Sequence, residues 1–313
     1  MKEPRYRYLF GPVPSRRFGR SLGIDLVPHK TCSFDCVFCQ LGRTKPKTLT
    51  RKVYHPTEDV IDEVRHWLRA DGEADYLTLS GSGEPTLHAA FGRVLAALRD
   101  APFPSALLTN GSLLKHAHVR EAAALADVVK ISLSAWDQRS FDWVNRPHPK
   151  IVFQSFMDGL KRFREMYHGR LWLEVFLLSG INAMQRDVEK IARLVRELAP
   201  ERIHLNTVAR PPAEDFAAAV PGPVLEALAK RFDPPARIAA ETGAHRATKA
   251  AVDDADILSM LKRRPCTIKQ IETAFGLHIN EVAKILGRLM RDQRIRADLR
   301  NHQVYYACLR LPF

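Results

Sequence analysis

Cysteine is scarce in this 313-residue sequence, and long apolar runs are missing. Three of the five cysteines fall within residues 32–39, which argues against the evenly numbered, widely spaced cysteines of a secreted disulfide framework. No apolar run reaches the roughly 20 residues that a membrane-spanning helix needs. The first nine residues are charged and aromatic, and they do not resemble a secretory signal. We therefore expect a cytoplasmic protein with no membrane partner.

Acidic residues are the second shortage, since 48 Lys and Arg stand against 35 Asp and Glu and give a net charge of +13. Residues 1–52 alone contain twelve Lys and Arg but three acidic residues. A basic surface attracts nucleic acid, anionic metabolites or acidic proteins. Solvated surface charge explains the excess over the whole chain equally well, whereas its concentration beside the cysteines favours a function there.

Short apolar segments alternate with helical patterns as far as residue 231. The predicted strands are Gly23–Val27, Tyr76–Ser80, Ala106–Thr109, Val128–Ser134, Leu171–Leu178 and Arg202–Val208. The predicted helices are Pro56–Ala70, Thr86–Leu98, His118–Leu125, Phe153–Met166, Gln185–Leu198 and Pro223–Arg231. Six such repeats indicate an α/β fold with a parallel sheet, either a partial barrel or a doubly wound sheet. Both architectures place ligand chemistry at the carboxyl ends of the strands.

The pattern changes after residue 235, so we predict three parts: a domain over 1–235, a linker over 236–252 and a second domain over 253–313. The second domain is predicted to contain helices Asp256–Arg263, Ile268–Phe275 and Ile279–Arg291, and strands Arg294–Leu299 and Gln303–Cys308. This order resembles a small winged helix-turn-helix. Lys284, Arg288 and Arg291 share one helical face suited to nucleic acid, but Glu281 would oppose phosphate. DNA, RNA, protein and the first domain all stay open as its partner.

The strongest local signal is the cysteine loop (residues 30–39), in which Cys32, Cys36 and Cys39 have C-x3-C-x2-C spacing. Three thiolates from one short loop can bind three irons of a cubane and leave the fourth iron without a protein ligand. An open coordination position is typical of a reactive metal centre. A structural zinc site would need a fourth Cys or His, and the other two cysteines lie in the second predicted domain. We therefore assign these three cysteines to a [4Fe-4S] cluster.

With Phe38 directly before the third cysteine, the loop resembles that of the radical S-adenosylmethionine (radical SAM) superfamily. The resemblance implies a partial (β/α)6 barrel of radical SAM type over the first domain, with a [4Fe-4S] cluster and S-adenosyl-L-methionine (SAM) as cofactors. It implies an enzyme in which the reduced cluster cleaves SAM and the 5′-deoxyadenosyl radical then abstracts hydrogen from substrate. An electron donor such as flavodoxin or ferredoxin is the implied partner, and Phe38 is expected near the adenine.

Further motifs of the same kind occupy the predicted strand ends. Ser82-Gly83-Glu84 is similar to the superfamily's glycine-glycine-glutamate motif, with Glu84 as the implied acceptor for the SAM ammonium group. The expected SAM-binding residues are Phe38, Ser82, Gly83, Glu84, Thr109, Asn110 and Ser132. Lys130 is either a surface strand end or a partner of a carboxylate. Asn182 and Asn206 either touch adenosine or substrate, or satisfy backbone groups.

A narrower resemblance rests on the segment GPVPSRRFGRSLGID at residues 11–25 and on Asn145-Arg146-Pro147. These are similar to a group of bacterial and archaeal proteins related to wyosine-pathway tRNA enzymes. The archaeal wyosine-forming enzymes carry extra cysteines for a second cluster, and no cysteine precedes Cys32 in this chain. The resemblance assigns no catalytic side chain beyond the cofactor ligands.

Two classes of function remain at this point. In the first, the chain is an enzyme whose substrate is tRNA or another nucleic acid, as the charge and the second domain favour, or else a peptide, a protein or a small anionic metabolite. In the second, it is an iron–sulfur regulator that senses redox state and binds DNA. The regulator explains the second domain but not the motifs at the strand ends.

Overall fold

An eight-stranded sheet forms the centre of the first domain in the computed structural model, which describes residues 6–15, 18–238, 252, 254–300 and 303–309. The strands are β1 Leu9–Ser15, β2 Gly19–Ile24, β3 Tyr76–Leu79, β4 Ser105–Thr109, β5 Val128–Ser132, β6 Arg170–Phe176, β7 Arg202–Asn206 and β8 Arg237–Ile238. They follow one another in sheet order β1 to β8. The first pair is antiparallel and all later pairs are parallel, so the predicted α/β fold is confirmed.

Seven helices of the described chain accompany these strands. They are α1 Thr57–Arg69, α2 Phe91–Ala97, α3 Ala117–Ala123, α4 Gln138–Val144, α5 Phe153–Met166, α6 Gln185–Glu197 and α7 Gly222–Ala229. In α1, Glu58 and Asp59 occupy the first turn, where carboxylates interact favourably with the helix dipole. Val60 and Val64 are buried on the face that packs on the sheet.

The two faces of the sheet differ in chemistry because successive strand residues point to opposite sides. The face that packs against the helices is apolar, as Leu79, Leu107 and Leu173 illustrate. The opposite face includes Trp172, which stacks on Phe18 with ring centroids 4.9 Å apart. Polar groups lie farther along the same strands on this inner face. The inner face is therefore closed by aromatic side chains at one end and polar toward the carboxyl ends of the strands.

Three elements, β1, α4 and β8, were not predicted from the sequence, and each lacks the usual signal. Strand β1 contains Pro12 and Pro14, which read as loop residues, but an edge strand tolerates proline. Helix α4 begins at a capping box between Asp137 and Ser140, which lacks the Glu or Gln that usually marks this motif in a sequence. Strand β8 lies in the segment assigned to the linker. Residues 239–251 are outside the described parts, so the domain boundaries stay a prediction.

The last part of the chain has its own apolar cluster. Its elements are α8 Asp254–Arg263, α9 Ile268–Phe275, α10 Ile279–Arg291 and the antiparallel pair β9 Ile295–Arg300 and β10 Gln303–Cys308. Ile257, Leu261, Ile271 and Leu286 are buried together in this C-terminal module (residues 254–309). The predicted order of elements agrees, and the winged-helix assignment stays a prediction. No described helix is long and apolar enough to cross a membrane.

We expect Gly159→Ala to destabilise the protein, because a Cβ at this position of α5 would lie 2.6 Å from the Lys115 backbone nitrogen and 2.9 Å from the Leu114 carbonyl carbon. Backbone atoms cannot rotate away, so the free energy of unfolding should fall by about 1–3 kcal/mol. Urea denaturation measures this. Gly222→Ala is the matched control, since a Cβ there meets nothing within 4 Å. Equal stability of the two variants would contradict the packing described here.

Candidate functional site

The cysteine loop follows β2 and is bound to the end of β3 through backbone hydrogen bonds. The Lys30 N–H donates to the Ser82 carbonyl at 2.6 Å, and the Glu84 N–H donates to the Thr31 carbonyl at 2.9 Å. A Cβ at Gly83 would lie 2.0 Å from the Thr31 carbonyl oxygen. Glycine is therefore required at residue 83 by the close approach of the two loops, independently of any ligand.

The opposite side of the cysteine loop is bound to the end of α4 and to the segment after β7. The Val37 N–H donates to the Val144 carbonyl at 3.0 Å, and the Glu214 N–H donates to the Val37 carbonyl at 3.1 Å. The Glu214 carboxylate is buried between Arg146 at 2.5 Å and Arg43 at 2.7 Å. These arginines hold the pKa of Glu214 below its usual range through hydrogen bonds and charge, against the opposing effect of burial. Contacts within the protein thus hold the loop on both sides.

Each of the three cysteine sulfurs in the loop accepts a hydrogen bond from a nitrogen. The pairs are Lys30 Nζ to Cys39 Sγ at 3.1 Å, Asn145 Nδ2 to Cys36 Sγ at 3.4 Å, and Asn110 Nδ2 to Cys32 Sγ at 3.6 Å. Such donors stabilise thiolate charge and influence the reduction potential of an iron–sulfur cluster. Three sulfurs on one loop, each beside a donor, fit a [4Fe-4S] cluster with one iron lacking a protein ligand.

Burial disfavours the thiolate form of two of these cysteines. It raises the pKa of Cys32 to about 12, with the charge of Glu84 adding to the effect. It also raises the pKa of Cys36, where the neighbouring Cys39 adds to the shift. The described residues contain no group of three His, Cys, Asp or Glu arranged around a single metal ion. A cubane takes each thiolate on a different iron, so its sulfurs do not need to converge on one point.

Glu84 joins the ends of β3 and β4. Its Oε1 accepts hydrogen bonds from the hydroxyls of Thr86 and Thr109, both at 2.6 Å, and its Oε2 accepts from the Asn110 N–H at 2.7 Å. Burial raises the pKa of this carboxyl, and the hydrogen bonds oppose that shift. The structure therefore brings together three residues that the sequence predicted for SAM binding. Their contacts with SAM stay a prediction.

Three other predicted SAM-binding residues have different surroundings. The Ser82 hydroxyl donates to the carboxylate of Asp25. Phe38 stacks on Phe176 with ring centroids 4.1 Å apart and an interplanar angle of 7°. Ser132 ends β5 and is partly exposed. The adenine contact of Phe38 and the SAM contact of Ser132 stay predictions.

The inner face of the sheet contains a buried polar group that the sequence showed only in part. Lys130 Nζ lies 2.6 Å from Glu174 Oε2, so the carboxylate-partner interpretation of this lysine is the one observed. Asn206 Nδ2 donates to the other Glu174 oxygen at 2.5 Å. Glu174 was missed, although it is the one charge within the apolar segment 171–178. Asn182 satisfies backbone groups, donating to the Ser134 carbonyl at 2.8 Å.

We expect Lys30→Met to make the midpoint potential of the reconstituted cluster more negative by roughly 60 mV, because a charged donor to a cluster ligand favours the added electron. Lys45→Met is the control. Lys45 is exposed and follows the cysteine loop, so this variant also removes one positive charge from that region. An electron paramagnetic resonance redox titration measures both. Equal shifts would show that net charge, and not the contact with Cys39, sets the potential.

Known proteins resemble this chain in sequence and in fold. The family described as the Radical SAM superfamily matches residues 26–195. A UPF0026 protein of Methanocaldococcus jannaschii is 37% identical over 71% of this chain and 68% of its own length. A protein named GTPase Obg from Brachyspira hyodysenteriae is 32% identical over 96% of this chain, and the chain spans 45% of that protein.

Among solved structures, TYW1 with a lysine–pyruvate adduct bound superimposes with a TM-score of 0.53 at 20% identity, over 69% of this chain and 74% of that one. The likeness confirms the radical SAM type of fold for the first domain. The family match, which covers more than half of the chain, shows that this chain belongs to the radical SAM superfamily of enzymes, which use a [4Fe-4S] cluster and SAM.

Proposed function

We propose that this enzyme cleaves SAM reductively and uses the product to take a hydrogen atom from a nucleic-acid substrate. A reduced cluster held by Cys32, Cys36 and Cys39 would supply one electron, which would break the bond between the SAM sulfur and C5′ and give methionine and a 5′-deoxyadenosyl radical. The observation that carries the proposal is the set of three sulfurs, each beside a nitrogen donor, on a loop fixed against residues 82–84. This arrangement suits a cofactor that must meet both the cluster and the strand ends.

The protein's own residues bind and orient the cofactor in this proposal. Residues 82–84 face the amino group of SAM, Thr109 and Ser132 contact its methionyl and ribose parts, and Phe38 lies beside the adenine. The substrate enters along the polar part of the inner face. There the pair of Lys130 and Glu174 offers one cationic and one anionic group at 2.6 Å from each other. A paired donor and acceptor can hydrogen-bond to a base or a ribose.

Charge supports a nucleic-acid substrate over a peptide or a small anionic metabolite. The net charge is +13, and α10 exposes Lys284 and Arg291. Arg288, on the same face, is paired with Asp254 at 2.6 Å, so part of the predicted basic face is already neutralised. A basic surface of this kind attracts phosphate through release of counterions. The regulator hypothesis is less well supported, since it gives no role to the buried polar pair on the inner face.

We expect the anaerobically reconstituted, dithionite-reduced protein to produce 5′-deoxyadenosine from SAM, with more product when total tRNA is added. Cys36→Ala should lose the cluster's visible absorbance and all product, because a thiolate ligand is removed. Cys308→Ala, a cysteine of the C-terminal module, should keep both. Mass spectrometry of the nucleoside is the measurement.

Product from Cys36→Ala would contradict the ligand assignment. No product from wild-type protein with an intact reduced cluster, whether tRNA, a peptide pool or a metabolite pool is added, would contradict SAM cleavage. If a peptide or metabolite pool increases the yield of 5′-deoxyadenosine and tRNA does not, the nucleic-acid substrate is contradicted, whereas SAM cleavage is not.

An aromatic patch beside the cysteine loop supports docking of an acidic electron donor such as flavodoxin or ferredoxin. Trp143 is 60% exposed and Phe216 is 49% exposed, with ring centroids 6.2 Å apart. The guanidinium of Arg146 lies 6.0 Å from the Phe216 ring centroid. Val144, next to Trp143, accepts the hydrogen bond of Val37 between the second and third cysteines. Exposed aromatics beside an arginine are typical of interface centres.

We expect the double variant Trp143→Ala/Phe216→Ala to slow cluster reduction by reduced flavodoxin by about tenfold, because interface aromatics supply much of the binding energy. Reduction by dithionite, a small molecule that needs no docking surface, should be unchanged. Leu299→Ala, an exposed apolar residue of the C-terminal module, is the control. Stopped-flow absorbance gives the rates. A loss of rate with both reductants would point to damage at the cluster and not to docking.

A further inference from the structure

Ser82, the first residue of the motif at 82–84, is hydrogen-bonded to a buried carboxylate. Asp25, directly after β2, is 6% exposed and accepts hydrogen bonds from the Ser82 N–H at 3.0 Å and from the Ser82 hydroxyl. Gly81 has φ +126°, and a Cβ there would lie 2.7 Å from the Asp25 carboxyl carbon. Serine stands here where the superfamily motif has glycine, and Asp25 is the group that binds its side chain. The conformation of the loop therefore depends on Asp25.

The positive charge beside Asp25 comes from the C-terminal module. Arg263, the last residue of α8, places Nε 3.7 Å from Asp25 Oδ2, and its side chain is 15% exposed. Its guanidinium packs over the Phe10 ring at 4.1 Å from the centroid. Its Nη1 donates to the Ser259 carbonyl at 3.0 Å. A single side chain thus connects α8, β1 and the aspartate that holds Ser82.

The arrangement is electrostatically demanding. Burial raises the pKa of Asp25, whereas Arg263 and the hydrogen bonds from Ser82 lower it. A buried carboxylate without its cation is costly, and it becomes protonated or draws in water. Either change weakens its hold on the two Ser82 donors. The position of the C-terminal module is therefore coupled to the loop at the end of β3 through the ion pair of Arg263 and Asp25.

We propose that Arg263 is a positioning residue for SAM: through Asp25 it holds Ser82, and with it residues 82–84, in the conformation that binds the cofactor. The inference rests on the proposed function, since it requires that residues 82–84 bind SAM. It gives the C-terminal module a role in the same reaction. Cofactor affinity then depends on whether the module is docked against β1.

The test is a double-mutant cycle on the full-length, cluster-loaded protein, with the dissociation constant of SAM measured by equilibrium ultrafiltration. Arg263→Met should weaken SAM binding by about tenfold while leaving the cluster absorbance intact. Arg263→Lys, which keeps the charge, should recover most of the affinity. In an Asp25→Asn background, where no carboxylate remains to be neutralised, Arg263→Met should have no further effect. Arg288→Met, which breaks an ion pair within the C-terminal module, is the matched control.

Each outcome separates the inference from the proposed function. Wild-type affinity in Arg263→Met overturns the inference, and so does an equal loss in the native and Asp25→Asn backgrounds. Failure of cluster-loaded wild-type protein to bind SAM overturns the proposed function instead, and the inference with it. If Arg263→Met does not fold, Arg263→Gln replaces it in the same cycle, and thermal melting of every variant checks the fold.

Discussion

Two backbone hydrogen bonds between the cysteine loop and the end of β3 fix the geometry on which the rest of the site depends. They join Lys30 to Ser82 and Thr31 to Glu84, and they require glycine at residue 83 because the two segments are in contact there. Backbone contacts of this kind do not depend on side-chain rotamers. The three sulfurs and the motif at residues 82–84 consequently have a fixed relation, as a cofactor that bridges them would need.

Carboxylates extend this arrangement outward. Glu84 connects the motif to β4, and Glu214 connects the cysteine loop to the segment after α4 through two arginines. Asp25 connects the motif to the C-terminal module through Arg263. Each is buried and surrounded by donors or cations, because an unpaired buried charge would be unstable. Some of the chain's arginines thus stabilise buried carboxylates within the fold, in addition to contributing to its positive net charge.

The inner face of the sheet lies beside the strand-end motifs and contributes polar side chains to the candidate site. Aromatic packing of Phe18 and Trp172 closes one end, and the pair of Lys130 and Glu174 makes the face polar nearer the carboxyl ends of the strands. A substrate held there would lie near the strand-end motifs. The division follows from the two-residue period of a strand, which lets one strand present apolar groups to the helices and polar groups to the opposite face.

The sequence by itself determined the C-x3-C-x2-C spacing of the cysteine loop, the run of strand–helix repeats and the motif at residues 82–84, because these depend on spacing within a few residues. It also indicated the order of elements in the C-terminal module from apolar periodicity. It did not reveal β1, whose prolines conceal an edge strand, α4, whose capping box lacks the usual Glu or Gln, or the two-residue strand β8. Only the tertiary structure placed Asn145 beside Cys36, Glu174 beside Lys130 and Arg263 beside Asp25. Those partners are 44 or more residues apart in the chain, and a single sequence holds no local signal for a contact that folding alone creates.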